Sequence, residues 1–225
     1  TNQQTNGIAI GQYAGQTAQQ AFGTAIGYTA GQTSQQQYAI SIGFGAGVTT
    51  QGYRSIAIGS SAGNTSQSSN ALAIGIGAGQ SNQSSNAIAL GFGAGQNTQG
   101  SNAIAIGLNA GSVAGQGSNA VALGIFAGYS NQGNSTISIG DLAGVNSQNN
   151  FSVAIGLQAG QSAQYANSTA VGPYAGQVAQ GTSSVAIGNQ AGQSNQDIQA
   201  VAIGNVAGQT SQQRYATAVG NSAGT

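Results

Sequence analysis

A glycine recurs fourteen times along this chain of 225 residues, at a step of sixteen that lengthens once to seventeen. A fixed period of this length is typical of a solenoid, in which each repeat is one coil that buries its core only against its neighbours. The sequence therefore predicts one repeat domain over residues 1–225, built from about fourteen 16-residue coils without a linker. The leading glycines, which are expected at coil corners, are Gly11, Gly27, Gly43, Gly59, Gly75, Gly91, Gly107, Gly124, Gly140, Gly156, Gly172, Gly188, Gly204 and Gly220.

The three residues before each leading glycine predict a short β-strand with two unlike faces. The first and third residues before it are aliphatic, apart from a few threonines at the third, and the second is always Ala or Ser. Because side chains alternate across a strand, the aliphatic pair points to one side and the small residue to the other. Neither face carries a charge, so both are expected to be buried.

The remainder of each coil predicts a corner and a second strand. An alanine and a glycine stand three and four residues after every leading glycine, and this Gly-x-x-Ala-Gly pattern indicates the first corner. A glutamine follows eight residues after the leading glycine and marks the second strand or its corner. Stacked glutamines can form a ladder of side-chain amides from coil to coil, and a polar surface for a ligand is the other interpretation. The glutamine column consists of Gln19, Gln35, Gln51, Gln67, Gln83, Gln99, Gln116, Gln132, Gln148, Gln164, Gln180, Gln196 and Gln212.

The column of small residues suggests where chains could meet. Two aliphatic side chains per coil make a thin core, so further burial against another chain is expected to stabilise the coils. Small residues allow a close approach, which predicts that their column lies at or near an inter-chain interface. This column is Ala9, Ala25, Ser41, Ala57, Ala73, Ala89, Ala105, Ala122, Ser138, Ala154, Ala170, Ala186, Ala202 and Ala218.

The composition argues against several classes of function. The chain has no His, Cys, Lys or Glu, so it lacks an ordinary general base, a nucleophile with its activating base, and a zinc ligand set. Its four charged residues are Arg54, Asp141, Asp197 and Arg214, and a neutral surface attracts neither nucleic acid nor anionic lipid over long range. We therefore expect no enzyme activity, no cofactor, no metal, no nucleic-acid partner and no membrane insertion.

The coil motif resembles a known family. Residues 103–111 read AIAIGLNAG and residues 184–192 read SVAIGNQAG. This pattern is similar to the head repeat of trimeric autotransporter adhesins, the YadA-like head, and similar repeats occur in viral and phage fibres. The resemblance implies a left-handed parallel β-roll with two short strands per coil and three chains around a shared axis. It also implies an extracellular location, on a cell surface or in a virion fibre, and contact with a host surface protein or a glycan.

Two roles follow as expectations, and a third is weaker. The first is an extracellular fibre or adhesin segment that extends from a surface and mediates adhesion or self-association. The second is a filament of copies stacked head to tail without a dedicated receptor, because the five residues after Gly220 and the eleven up to Gly11 together restore the step of sixteen. The third is ice binding, which would favour a regular threonine array, whereas threonine here is scattered among other residues.

Two irregular features complete the pattern. Aromatic residues recur beside the leading glycines, as at Tyr28 and Phe44, and five residues before them, as at Phe22 and Tyr38. They are expected either to cover corners or to form a stacking surface for glycans or other fibres. The single step of seventeen predicts a corner bulge within residues 112–117 that leaves the coil stack unbroken.

Overall fold

The computed structural model describes residues 3–224, which form 23 short strands and no helix. The chain makes about thirteen turns of stacked parallel coils about sixteen residues apart, so the predicted parallel β-solenoid is confirmed. In chain order the strands are β1 (Ile8–Ile10), β2 (Thr24–Ile26), β3 (Ile40–Ile42), β4 (Thr49–Gln51), β5 (Ile56–Ile58), β6 (Thr65–Gln67), β7 (Leu72–Ile74), β8 (Ser81–Gln83), β9 (Ile88–Leu90), β10 (Ile104–Ile106), β11 (Val113–Gln116), β12 (Val121–Leu123), β13 (Ser130–Gln132), β14 (Ile137–Ile139), β15 (Asn146–Gln148), β16 (Val153–Ile155), β17 (Ser162–Gln164), β18 (Thr169–Val171), β19 (Val178–Gln180), β20 (Val185–Ile187), β21 (Ser194–Gln196), β22 (Val201–Ile203) and β23 (Thr217–Val219).

The chain divides into two compact units, residues 1–115 and residues 116–225. In the first unit the strands that precede the leading glycines pair in parallel in the order β1-β2-β3-β5-β7-β9-β10. The strands that end on the glutamine column form a second sheet, β4-β6-β8. Each residue pairs with the one sixteen positions later, as Ile42 does with Ile58, so every column of the sequence becomes a row of neighbours in space.

The second unit repeats this arrangement. Its first sheet runs β12-β14-β16-β18-β20-β22-β23 and its second runs β13-β15-β17-β19-β21, all in parallel. The register is again sixteen residues, as between Ala186 and Ala202. Both units therefore confirm the two strands per coil that the sequence predicts.

The leading glycine is required by the close approach of successive coils. Gly91 has a φ of +129°, and a Cβ atom there would lie 2.7 Å from the carbonyl oxygen of Gly107 in the next coil. Real Cβ atoms do not approach a backbone oxygen so closely, and L residues rarely adopt this φ. Glycine is therefore required at this corner for two reasons: the φ is unfavourable for other residues, and a Cβ atom would clash with the backbone of the next coil.

A second recurrent backbone feature explains the asparagines of the chain. The residue five before each leading glycine has a left-handed conformation, with φ of 58° at Asn70 and 59° at Asn86. Asparagine tolerates this region better than other non-glycine residues, because its short polar side chain can bond locally. Bulkier residues such as Phe22 and Tyr38 occupy the same position with φ of 61° and 62°.

The extra residue of the seventeen-step lies in the second strand of its coil. Strand β11 has four residues where the other strands have three. Ala114 and Gly115 both have positive φ, of 60° and 87°, whereas the usual second strand has one such residue. The glutamine column resumes directly afterwards at Gln116, which is buried and donates to the carbonyl oxygen of Ala120 at 3.3 Å.

The corner glycine gives a prediction on stability. We expect Gly91→Ala to lower the free energy of unfolding by more than about 3 kcal/mol, because it adds a backbone clash to an unfavourable φ. Gly77→Ala is the matched control, since Gly77 has a φ of +64° and its added Cβ would meet no atom closer than 3.8 Å. The control should cost only about 1–2 kcal/mol. Urea denaturation followed by circular dichroism measures both, and equal losses would contradict the clash.

Candidate functional site: the inner and outer faces of the coils

The glutamine column lies inside the coils and forms a continuous amide ladder over much of each unit. The Gln67 Nε2 donates to the carbonyl oxygens of Ile56 and Ala71, at 2.9 and 3.2 Å, and to the Oε1 of Gln83 at 3.0 Å. The same coil-to-coil bond joins Gln164 to Gln180 at 3.0 Å in the second unit. The ladder predicted from the sequence is therefore present. Its side chains are almost completely buried, so they lie inside the coil and do not form a surface for a ligand.

The coil interior is too narrow for anything larger than small residues beside this ladder. A Cβ atom on Gly79 would lie 2.8 Å from the Gln83 Oε1 and 3.2 Å from the Cβ of Ala73. Alanines such as Ala78, three residues after the leading glycine, complete the lining and are fully buried. The glycine four residues after each leading glycine therefore provides room for the glutamine amide.

The serines in the small-residue column complete the hydrogen bonding of the ladder. The Ser138 hydroxyl donates to the Gln148 Oε1 at 2.5 Å, and Ser41 donates in the same way to Gln51. Polar groups buried in this way must be paired, because an unpaired one costs about 1–3 kcal/mol. Three acceptors lack a partner among the described residues, the Oε1 atoms of Gln19, Gln35 and Gln132. The last of these belongs to the glutamine that follows Gln116 in the column, one coil after the one-residue insertion.

The predicted inter-chain role of the small-residue column is wrong. Within a single chain every member except Ala9 is already buried, because the column faces the glutamines inside its own coil and leaves no area for another chain to cover. The small-residue column to which this correction applies consists of Ala9, Ala25, Ser41, Ala57, Ala73, Ala89, Ala105, Ala122, Ser138, Ala154, Ala170, Ala186, Ala202 and Ala218.

The aliphatic pair that was expected to form the core points outward instead. These side chains are half-buried or exposed in every strand of the first sheet, and Leu90, Leu123 and Ile203 are each about 40 % exposed. Burial inside the coil is reserved for the residue between them, which gives the repeated intermediate, buried, intermediate pattern seen in β5 and β16. The alternation predicted from the sequence is confirmed, whereas burial of the aliphatic side is not.

A third apolar column extends this outer surface. The residue directly after the leading glycine also points outward, and it is exposed and apolar at Tyr28, Phe44, Ile76, Phe92, Leu108, Ile125 and Leu157. We call the three outward columns, at one and three residues before and one residue after each leading glycine, the apolar face. Its only charged residue is Asp141. Toward the end of the second unit the third column becomes polar, and Asn189, Asn205 and Asn221 form an amide ladder there.

The variability of each column in the sequence indicates which columns point outward, although the periodicity alone does not. The aliphatic columns vary among Ile, Leu, Val and Thr, whereas the interior columns keep one residue type or one size. Tight packing restricts size, so the uniform columns mark the interior and the variable ones the outside.

Aromatic side chains near the start of the chain pack against one another from coil to coil. The rings of Phe22 and Tyr38 stack with centroids 5.1 Å apart and planes 8° apart. The guanidinium of Arg54 continues this row and lies 4.8 Å from the ring centroid of Tyr53. Each of the two stacked rings therefore covers one face of the other, while Phe22 and Tyr38 stay 45 % and 42 % exposed.

The charged side chains of residues 3–224 are those of Arg54, Asp141, Asp197 and Arg214. No group of three or more His, Cys, Asp or Glu residues lies close enough together within this range to hold a metal ion. Over the same residues there is no helix whose length and hydrophobicity would allow it to cross a membrane.

The buried ladder gives a second prediction on stability. Gln67→Met keeps the approximate volume but removes the donors to Ile56, Ala71 and Gln83, so the free energy of unfolding should fall by about 2–4 kcal/mol. Gln20→Met is the control, since Gln20 is exposed and should change stability by less than about 0.5 kcal/mol. Chemical denaturation of both variants measures the difference, and similar values for the two would argue against a stabilising ladder.

No protein-family model matches the chain, and a search of curated proteins finds no match.

Proposed function

We propose that this chain is a segment of an extracellular structural fibre or adhesin whose copies associate through the apolar face. The observation that carries this proposal is the outward exposure of two aliphatic columns along each unit, together with exposed apolar residues after the leading glycine at Tyr28, Phe44 and Ile76 among others. Seven strands at the usual spacing make this face roughly 30 Å long in a unit. Continuous apolar surfaces of this kind on a protein are typical of protein-protein interfaces.

The occupant that best fits the apolar face is a second copy of the same chain. The face bears almost no charge, so equivalent faces can meet without repulsion or the burial of an unpaired ion. Every coil repeats the same register, so the columns are regularly spaced. The faces of two copies therefore have the same spacing and can meet coil against coil. Three copies around a common axis would accord with the resemblance to trimeric adhesin heads. A host surface protein or a glycan would then contact the surfaces that point away from this axis.

The threonines offer less support for ice binding. Thr33, Thr49 and Thr65 occupy one column, but their hydroxyls donate to the backbone carbonyl oxygens of Val48, Asn64 and Gln80 in the next coil. Hydroxyls used in this way are less available to organise water at a surface.

Self-association gives a direct test of the proposed function. Lysine placed in the apolar face should prevent association, because burying an unpaired ammonium is costly. We expect the double variant Ile74→Lys with Ile155→Lys to sediment as a monomer, whereas the unchanged chain sediments as a trimer or a larger assembly. Analytical ultracentrifugation over a range of concentrations measures this.

The control places the same charges outside the apolar face. Ser66 and Ser147 are exposed residues of β6 and β15, so Ser66→Lys with Ser147→Lys should leave association intact. If the unchanged chain sediments as a monomer at all concentrations, self-association through this face is refuted. An assembly that grows without limit as concentration rises would favour the filament over a closed trimer.

A further inference from the structure

The second unit has a notch in its surface beside one of the variable columns of the repeat. The residues Tyr165, Gly181, Asp197 and Gln213 are sixteen apart, so they occupy the same position in four successive coils. Gly181 contributes no side chain between Tyr165 and Asp197, and it packs directly against the next coil, since a Cβ atom there would lie 2.5 Å from the carbonyl carbon of Asp197. A cavity of about 490 Å³ is found at this point.

The walls of the notch are formed by side chains of different chemistry. Tyr165 is 50 % exposed, which leaves much of its ring open to a ligand. Thr182, Asn195 and Ser211 also line the cavity and contribute hydroxyl and amide groups. Tyr165 and Asp197 are two coils apart, and the strand spacing therefore separates their backbones by roughly 10 Å.

Asp197 is held in place and keeps capacity to accept hydrogen bonds. Its Oδ1 accepts the backbone N–H of Ile198 at 2.6 Å, and its own backbone N–H donates to the carbonyl oxygen of Gln212 at 2.9 Å. A carboxylate has about four acceptor positions, and the bond to Ile198 occupies one of them. The remaining positions can accept two neighbouring hydroxyl groups of one ligand.

We infer that this notch binds a neutral saccharide, with the ring of Tyr165 against a sugar face and the carboxylate of Asp197 accepting sugar hydroxyls. A sugar has an apolar C–H face for an aromatic ring and hydroxyls for a carboxylate and amides. The cavity is lined by one carboxylate and no basic residue, so it disfavours phosphate, sulfate and acidic sugars. Its many polar groups disfavour a wholly apolar ligand.

This inference rests on the proposed function, because the notch would provide an adhesive contact of the fibre. The position is nevertheless separate from the apolar face. Asp197 lies nine residues after its leading glycine, Gly188, whereas the apolar face comprises residues one and three before and one after each leading glycine. Changes in the notch should therefore leave self-association unchanged.

The test titrates the full chain with neutral trisaccharides of glucose, galactose and mannose, followed by saturation-transfer NMR and calorimetry. At least one trisaccharide should bind saturably. Asp197→Asn should weaken that binding at least about tenfold, because a hydrogen bond to a charged acceptor is lost. Tyr165→Ala should weaken it by about two- to tenfold.

Asp141→Asn is the matched control, since Asp141 is the only other carboxylate side chain of the sequence and lies outside the notch. It should leave saccharide affinity unchanged. Absence of saturable binding by the whole panel, or equal affinity of the Asp197→Asn variant and the unchanged chain, would overturn the inference. Sedimentation of the same samples separates the two proposals, because a chain that associates but binds no sugar contradicts only the notch.

Discussion

The buried glutamine ladder is the interaction on which the rest of this structure depends. In most coils the amide bonds within its own coil and to the next glutamine, as Gln83 does, so it closes the coil and joins it to its neighbour at once. A ladder of this kind leaves little space inside. Alanine lines the remaining interior, and glycine is needed where the amide Oε1 approaches the backbone, as at Gly31 and Gly160.

A narrow polar interior has a consequence for the outside of the molecule. The large aliphatic side chains cannot enter the coil, so they project outward and form the apolar face together with the column after the leading glycine. In an ordinary domain such side chains would supply the core, whereas here they stay half-buried or exposed on the outside of the coil. A hydrogen-bonded coil interior and an exposed apolar surface are thus two results of the same packing constraint.

Repetition also explains where a specific site can arise. Because the coils stack in register, the residues of one column become neighbours in a row. A column with a single residue type therefore presents a uniform surface. A variable column, such as the one that contains Tyr165, Gly181 and Asp197, instead places unlike side chains next to one another along a cavity. Substitutions in one coil can therefore create a ligand site without altering the ladder that stabilises the fold.

The sequence by itself determined the period, the parallel register, the glycine corners and the glutamine ladder, because each of these depends on local geometry repeated every sixteen residues. It also determined that Ile and Ala face opposite sides of the strand. Only the tertiary structure decided which side is inside, since alternation defines two faces but not the width of the space between the strands of one coil. That width is set by the Gln83 amide packed against Gly79 and Ala73, three residues that are separated in sequence and meet only when the coil closes.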